Sequence, residues 1–393
     1  MRPSGVILCL LSLTFDAAAE TDEKLFDANV LHEVRLYLHP GDWTRLKTTF
    51  RENTYYPAEL VWAGQSVANV GIRSRGRGSR SATKPGLRVD FDRYEDGQRF
   101  LGLKSLVLDN LTQDPPMARE RLAMLFFRRM GIAAPREAHA RLYVNNVYAG
   151  LYAIVESVDK MFLSRNFGED SGYLYEYRWP APNDLGYPGP EPSLYCPVPF
   201  EPRTHEKDPK PAVLEAFVRA VNQSSDQDYA RAVGEFIDWR QFLAYVAVEN
   251  FLGESDGFVG TNGMNNFYLY RPAGKTQFTW IPWDKDASFI WEDHPLFFRM
   301  DTNVLTRRAL RNPELLRIYL EALDRSAAAA EEDLWLETSA QRITDQIRRA
   351  ALEDTNKRLG NEDFEEALVY FHFFVGQRSQ RVREALAEWL GPR

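Results

Sequence analysis

The sequence has 393 residues, of which 44% are hydrophobic and 13% aromatic. The chain can therefore bury a large interior and is long enough for two lobes of about 100–200 residues each. Its formal net charge of −8, from 48 basic and 56 acidic residues, argues against nucleic acid or an anionic membrane as a general partner, so any site for an anion must be local.

The first 19 residues have the pattern of a cleavable export signal. Arg2 precedes the short apolar run VILCLLSLTF, and cleavage is expected after Ala19. This run is too short to span a bilayer, and no later segment has about 20 apolar residues without charge, so we expect no stable membrane insertion. The mature protein is predicted to be secreted or periplasmic. Cys196 is then a lone thiol, because Cys9 leaves with the signal.

The next part of the chain predicts a strand-rich lobe at residues 26–157. Polar and apolar residues alternate in VRLYLH, YPAELVWAG, VANVGIRSRG, GLRVDFD and LKSLVLDN, as in half-buried strands. The spacing in MARERLAMLFFRRMG predicts a helix that stops at Gly131. A hairpin follows, with its turn at Asn145 and Asn146.

Residues 158–393 are predicted to form a mainly helical lobe. Prolines concentrate between residues 180 and 211, where a chain with fixed φ angles and missing donors favours a surface insertion that could face the substrate. Helical spacing recurs in AVLEAFVRAVN, DWRQFLAYVAVENFL and LTRRALRNPELLRIYLEALD, and two long helices end the chain. A single strand pair, NNFYLY and FTWIPW, interrupts these helices.

The order of polar groups before and within WIPWDKDASF indicates a phosphotransferase. Asp256 lies in a Gly-rich loop, Asn266 opens a strand, and the returning strand delivers Asp284 and Asp286. Protein kinases use the same succession: an Asp for the attacking hydroxyl, an Asn on the metal, a hairpin and a metal-binding Asp. Carboxylates that leave a hydrophobic strand are costly to desolvate unless a cation meets them. We therefore expect Asn266, Asp284 and Asp286 to hold Mg²⁺ or Mn²⁺; the alternative is that the acids cap a turn.

A basic, Gly-rich run supplies candidate ligands for the nucleotide. The segment GIRSRGRGSRSATKPGLRVDFD lies between two predicted strands, and its glycines let the backbone approach a polyphosphate closely. The alternative is a solvated basic loop. The residues that we expect to contact the nucleotide are Arg73, Arg75, Gly76, Lys84, Arg88 and Glu156.

Two glutamates are candidate partners for Lys84. Glu120 on the predicted helix could fix this lysine, and Glu156 at the end of strand AIVE is the competing partner. An unpaired buried Glu is expensive, so one of the two should find a cation. The segment Glu156-Ser157-Val158 joins the lobes, where an adenine could bond the backbone.

A serine hydrolase is the remote alternative. GESDG at 253–257 matches G-x-S-x-G around Ser255, with His294 or His372 as a possible base. That motif requires a strand before the serine, whereas a helix is predicted here. The six histidines show no close pairing, so a zinc site is not expected.

Taken together, these segments resemble the spore coat protein H (CotH-type) kinase family of secreted atypical protein kinases. The resemblance is carried, in the family's order, by VGIRSRGRGS, KPGLRVDFD, FLGLKSLVLDN, the long run from ARERLAMLFF to VDKMFL, GYLYE, SDGF with NNFYLY, and IPWDKDASF. It covers roughly residues 34 to 305.

The resemblance implies an α+β, protein-kinase-like bilobal fold, with ATP and a divalent metal as cofactors and protein Ser or Thr as acceptor. By the same resemblance Asp256 is the catalytic-loop Asp, Asn266 and Asp286 bind the metal, and Lys84 is the phosphate-binding, catalytic Lys. The resemblance favours Asp286 over Asp284, because many members of the family keep only the second acid.

The sequence departs from the family pattern at three positions. Small polar residues are expected where Arg77 and Gly78 stand, and Glu176 in GYLYE replaces a common Lys. We predict an exported protein kinase that acts on a protein substrate, with the protein itself as one candidate acceptor. The main alternative is a catalytically inactive surface or coat scaffold, which would show no metal-dependent nucleotide binding.

Overall fold

The computed structural model describes residues 21–390, and its N-terminal part is a closed barrel of seven strands. Alternating buried and exposed side chains explain why these segments extend into strands with one face inside. The barrel order is β1-β2-β3-β4-β5-β7-β6. Its strands are β1 (His32–Tyr37), β2 (Tyr56–Trp62), β3 (Gln65–Arg75), β4 (Gly86–Asp90), β5 (Ser105–Asp109), β6 (Glu137–Val144) and β7 (Val147–Val155).

The barrel closes through one parallel pair, β1 with β6, in the register His32 to Ala140. The other neighbouring strands are antiparallel. Closure leaves no free sheet edge. The interior is filled by aliphatic side chains that include Val34, Leu36, Leu60, Ile72, Val89, Leu108, Leu142 and Ile154. Two short helices, α1 (Asp22–Leu25) and α2 (Pro40–Thr48), flank β1.

Helix α3 (Arg119–Arg129) packs away from the barrel interior, in the large core of the helical lobe. Phe126 stacks on Phe251 with ring centroids 5.0 Å apart, and Phe127 contacts Tyr245 at 5.5 Å. One continuous core therefore includes residues from both sides of position 157. The division of the chain into two lobes at this position stays a prediction.

The predicted strand pair is part of a larger sheet, so the expectation of a single pair is wrong. Its four antiparallel strands run in the order β11-β10-β8-β9. They are β8 (Tyr173–Tyr177), β9 (Phe200–Pro202), β10 (Phe267–Arg271) and β11 (Thr279–Pro282). The Pro-rich insertion contributes β9 at the sheet edge, where missing N–H donors are tolerated. It also buries Tyr195 and the free thiol Cys196, so it is not purely a surface segment.

The rest of the chain is helical, which confirms the α+β class with a strand-rich N-terminal part and a helical C-terminal part. The predicted helix over LTRRALRNPELLRIYLEALD is two helices, because Asn312 caps a new helix that has Pro313 in its first turn. The helices are α4 (Lys160–Phe167), α5 (Pro211–Gln223), α6 (Tyr229–Gly234), α7 (Trp239–Leu252), α8 (Val304–Leu310), α9 (Pro313–Glu331), α10 (Trp335–Glu353) and α11 (Asn361–Leu390).

The end of α10 docks on the β6–β7 hairpin of the barrel. Tyr148 donates its hydroxyl to the Ala350 carbonyl at 2.9 Å, and Arg141 pairs with Glu353 at 2.7 Å. Within residues 21–390, no helix has the length and apolar character needed to cross a bilayer. The predicted signal at 1–19 lies outside the described residues.

Candidate active site

The loop after α7 folds over one buried carboxylate, Glu249. Its two side-chain oxygens accept the backbone N–H of Phe258 at 3.2 and 2.9 Å, and one also accepts the Tyr245 hydroxyl. A Cβ at Gly257 would lie 2.4 Å from this carboxylate, so the loop can approach it only with glycine at that position. Asp256, next to Gly257 in the chain, is partly exposed, and the cleft is the region around Asp256, Asn266, Asp284 and Asp286.

Asp256 is joined to both asparagines that open β10. Its Oδ2 accepts the side-chain amides of Asn265 at 2.9 Å and Asn266 at 3.0 Å. In the described part of the chain, the Asn266 amide oxygen accepts no hydrogen bond and stays available as a ligand. Burial raises the pKa of the Asp256 carboxyl, and the two amide donors oppose that shift.

Lys285, between the two acids of the DKD run, turns into the protein. Its ammonium donates to Glu249 at 2.7 Å and to the Asn266 carbonyl at 2.9 Å, and the side chain is fully buried. Asp284 and Asp286 on either side keep part of their surface exposed. Lys285, which follows β11, thus contacts both α7, through Glu249, and the start of β10, through Asn266.

The cleft carries more negative than positive charge. Burial and the Asp109 carboxylate raise the pKa of Asp284 to about 6, against the opposing charge of Arg75. Burial and the neighbouring Asp284 raise the pKa of Asp286 well above its usual range. Carboxyls in this situation take up either a proton or a cation.

The donors in the cleft suit a hard divalent ion but do not enclose one. Within residues 21–390, no group of three or more His, Cys, Asp or Glu side chains is arranged to hold a metal. The available set is two carboxylates and the free amide oxygen of Asn266. Mg²⁺ commonly takes one or two carboxylates and completes its shell with water and phosphate oxygens. The residues therefore fit an ion that is shared with a phosphate ligand.

The loop between β3 and β4 is Gly-rich and contains backbone amides without a protein partner in the described structure. Gly76 adopts a φ of +105°, which favours glycine. In the described structure, the backbone N–H groups of residues 77–81 donate no hydrogen bond to other protein groups. Free amides in a Gly-rich turn can bind phosphate oxygens.

Of the predicted basic ligands, Arg75 is the one that the structure places beside the acids. It pairs with Asp109 at 2.9 Å. Burial opposes its charge, but Asp109, Asp284 and Glu120 outweigh burial and raise the pKa of the guanidinium. Arg73 and Arg88 make other contacts, donating to Asn53 and to Ser105 respectively.

Both predicted partners of Lys84 are wrong. The Lys84 ammonium lies 2.7 Å from Asp354, and the two side chains are 2% and 0% exposed. Glu156 is held by Arg136 and Arg165. Asp354 lies 270 positions from Lys84 in the sequence, so no local pattern could have indicated the pair.

Glu120 and Glu156 have surroundings that differ from the prediction. Glu120 is buried on α3, where burial and the nearby Glu137 and Asp284 raise its pKa well above the usual range. The Glu156 backbone N–H donates to the Arg136 carbonyl at 2.9 Å and is therefore not free for an adenine. Contact between a nucleotide and Ser157 or Val158 stays a prediction.

Among the described residues, no histidine hydrogen-bonds the Ser255 hydroxyl. Ser255 follows helix α7, and its hydroxyl donates to the Ala287 carbonyl at 3.3 Å. His294 packs between Trp291 and Phe298, while His372 contacts Thr344. The hydrolase alternative is therefore wrong.

Sequence reasoning missed three supporting residues. Glu249 and Lys285 hold the loop to the strands, and Glu254 accepts the Asp256 backbone N–H at 2.7 Å. Burial raises the pKa of Glu254 to about 7. The lysine between two acids was visible in the sequence, but only the fold shows that its partner is the Glu of an earlier helix.

Comparison with known proteins adds a family match. The family model described as "CotH kinase protein" matches residues 72–382, which is most of the chain. The inner spore coat protein H of Bacillus subtilis is 24% identical over 363 residues, covering 90% of this chain and 97% of that protein.

Two fungal proteins and one solved structure are also similar. In Rhizopus delemar, spore coat protein homolog 1 is 20% identical and invasin CotH7 is 21% identical, over 76% and 69% of this chain. The chain spans about half the length of each, 51% and 45%. The crystal structure of the Helicobacter pylori proinflammatory kinase CtkA aligns with 82% of this chain and 95% of its own, at 10% identity and a TM-score of 0.37.

Proposed function

The chain belongs to the CotH kinase family, and we propose that it is an exported enzyme that transfers the γ-phosphoryl group of ATP to Ser or Thr hydroxyls of a protein. Membership of a kinase family indicates nucleotide use in general; ATP, Mg²⁺ or Mn²⁺ and the protein acceptor are our proposal. The observation that carries it is the hydrogen-bonded contact of Asp256 with Asn266, which Lys285 fixes beside Asp284 and Asp286.

Asp256 receives the acceptor hydroxyl. Its Oδ2 accepts two amide donors, which leaves Oδ1 free to accept the hydroxyl proton. The acceptor oxygen then bonds to the γ-phosphorus as the bond to the bridging oxygen breaks, so that ADP leaves and Asp256 holds the proton. The pKa of Asp256, raised by burial, makes it a better base than an exposed carboxylate.

Asn266 and Asp286, with help from Asp284, are the residues that would hold the divalent ion. Bound there, the ion supplies the positive charge that offsets the charge of the phosphates. The raised pKa values of Asp284 and Asp286 support this assignment, since the cleft is short of cations.

We assign the remaining phosphate contacts to Arg75 and the free amides of residues 77–81. Arg75 already lies beside Asp109 and the acids of the cleft. Lys84 is a weaker candidate for direct contact because its ammonium is buried against Asp354. This assignment revises the role that the family resemblance implies for Lys84.

The relatives' names support a location on a coat or outer surface. One relative is an inner spore coat protein, one a spore coat protein homolog and one an invasin. We propose that this chain likewise acts outside the cytoplasm, on a neighbouring surface protein or on itself.

The proposal is tested by incubating the protein with γ-labelled ATP and Mn²⁺ or Mg²⁺. We expect the wild type to incorporate label and Asp286→Asn to lose at least about 100-fold of that activity. Asp293→Asn, an exposed acid seven positions later, is the matched control and should retain it. Equal incorporation by Asp286→Asn would remove this residue from its role. No incorporation by the wild type would favour the scaffold alternative.

A further inference from the structure

We infer that Asp354, at the end of α10, is a positioning residue for the phosphate loop and acts on it through Lys84. The phosphate loop is the segment 76–85 between β3 and β4, and the inference rests on the proposed function, which assigns the free amides of residues 77–81 in this loop to the nucleotide. It gives the C-terminal helices a role in the site that neither the family match nor the loop sequence indicates.

The ion pair between Lys84 and Asp354 is short and buried. The Lys84 ammonium and Asp354 Oδ2 are 2.7 Å apart, and neither side chain is more than 2% exposed. The ammonium also lies 5.1 Å from the centre of the Tyr152 ring. Burial lowers the pKa of Lys84, and Asp354 opposes that shift. The Lys84 ammonium therefore depends on Asp354 for compensation of its buried charge.

Asp354 is itself held rigidly by the barrel. Its carboxylate accepts the backbone N–H of Leu151 in β7 at 3.0 Å and that of Asn356 at 2.9 Å. A Cβ at Gly150 would lie 2.6 Å from the same carboxylate, so glycine is needed there for the close approach. Asn356 in turn donates to the Ala149 carbonyl at 3.1 Å. The end of α10 thus has a fixed position on the β6–β7 hairpin.

Lys84 belongs to the loop, so its ion pair with Asp354 holds this end of the loop at the end of α10. The Lys84 carbonyl and that of Ser79 both accept the Asn110 side-chain amide, at 2.7 and 2.9 Å. The Pro85 carbonyl accepts the Tyr152 hydroxyl at 3.1 Å. The C-terminal half of the loop is therefore anchored, while the amides of residues 77–81 remain free for a ligand.

Stability alone does not account for such a pair. A buried ion pair usually contributes little net stability, because desolvation offsets the attraction, and apolar residues can often replace it at no loss. What it does provide is one defined geometry for the groups it joins. Here those groups are a Gly-rich loop and a helix end of the other lobe, so the pair fixes the loop relative to the helical part of the cleft.

The test compares Asp354→Asn with Glu353→Gln. The first removes the buried charge but keeps the side-chain shape; the second breaks the neighbouring, partly exposed pair with Arg141 and serves as the control. Two readouts are taken on folded protein: the rate of trypsin cleavage after Arg77 and Arg80, and the affinity for a fluorescent ATP analogue with Mn²⁺. We expect Asp354→Asn to be cut in this loop about tenfold faster and to bind the analogue about tenfold more weakly, while Glu353→Gln matches the wild type.

A second variant guards against misfolding. The double variant Lys84→Met/Asp354→Asn removes both charges together but keeps a side-chain oxygen that can accept a backbone N–H, and we expect it to fold but to keep the fast cleavage and the weak binding. Wild-type cleavage and affinity in either variant would overturn the inference and leave the pair with a purely structural role. If the wild type binds no nucleotide, the proposed function fails, and the cleavage rates alone still decide whether Asp354 positions the loop.

Discussion

At the scale of single residues, burial and neighbouring acids raise the pKa of several carboxyl groups, among them Glu120, Asp284 and Asp286. Glu137 is a further example: it is 1% exposed, and neither of its side-chain oxygens has a hydrogen-bond partner in the described structure. A buried carboxylate without partners costs several kcal/mol, so the group keeps its proton instead. Burial raises the pKa of Glu137 to about 8, although Arg128 opposes the shift.

This shift predicts a pH dependence of stability. Between about pH 4.5 and 8 the native protein holds a proton on Glu137 that the unfolded chain has lost, so the free energy of unfolding falls as pH rises through that window. Glu137→Gln imitates the protonated form and should be more stable than the wild type at pH 8, by on the order of 4 kcal/mol because one unit of pKa shift is worth about 1.4 kcal/mol, with little difference at pH 4.5. Urea denaturation of both proteins at the two pH values measures this. A difference that does not change with pH would contradict the assignment.

The residue types in the cleft were predictable, but their partners were not. Asp256, Asn266, Asp284 and Asp286 follow one another in an order whose chemistry can be read from the sequence, and the fold brings their elements together. The partner of Lys84, Asp354, could not be predicted in this way. Its pairing depends on which part of a distant helix reaches the barrel, and a sequence pattern carries no information about that contact.

At the scale of elements, the site depends on how α7 is joined to the β10–β11 hairpin. The helix supplies Glu249, the residues after the hairpin supply Lys285, and the loop with Asp256 lies between them. The ion pair between Glu249 and Lys285 is buried, so removing one of the two charges leaves the other without compensation.

Lys285→Met should therefore be strongly destabilising. It leaves Glu249 as an unpaired buried charge, and we expect a loss of about 3–5 kcal/mol in the free energy of unfolding. The double variant Lys285→Met/Glu249→Gln removes both charges and should recover a large part of that loss. Denaturant melts of the wild type, Lys285→Met, Glu249→Gln and the double variant measure the coupling. If the double variant is as unstable as the sum of the two single changes, the pair is not the link described here.

The strands and long helices were predictable from hydrophobic periodicity, whereas the order in which the strands pair to close the barrel was not. Alternation marked β1 to β5 and the β6–β7 hairpin, yet nothing in it indicates that β1 pairs in parallel with β6. Strands β8 and β9 escaped prediction because β8 is short and β9 lies within a Pro-rich segment. Local patterns determine which segments extend, while sheet order depends on long-range contacts.

At the scale of the whole molecule, the two parts of the chain share a core and meet at the cleft. Helix α3 packs with α7, and the end of α10 docks on the barrel, so the β3–β4 loop and the Asp256 loop are held by the same framework. Such a framework suits a site that must align a phosphate with a hydroxyl, because small displacements are costly in rate. Because residues on both sides of position 157 belong to this core, the predicted boundary does not separate two independent cores.

The central claim is that the acids and Asn266 bind a divalent ion together with a nucleotide. Electron paramagnetic resonance of Mn²⁺ tests it directly, with and without a non-hydrolysable ATP analogue, in the wild type and in Asp286→Asn. The account predicts that the wild type binds Mn²⁺ at least about tenfold more tightly when the analogue is present, since phosphate oxygens complete the ligand shell, and that Asp286→Asn loses this gain. Mn²⁺ binding that is the same with and without the analogue, or the same in both proteins, would contradict it.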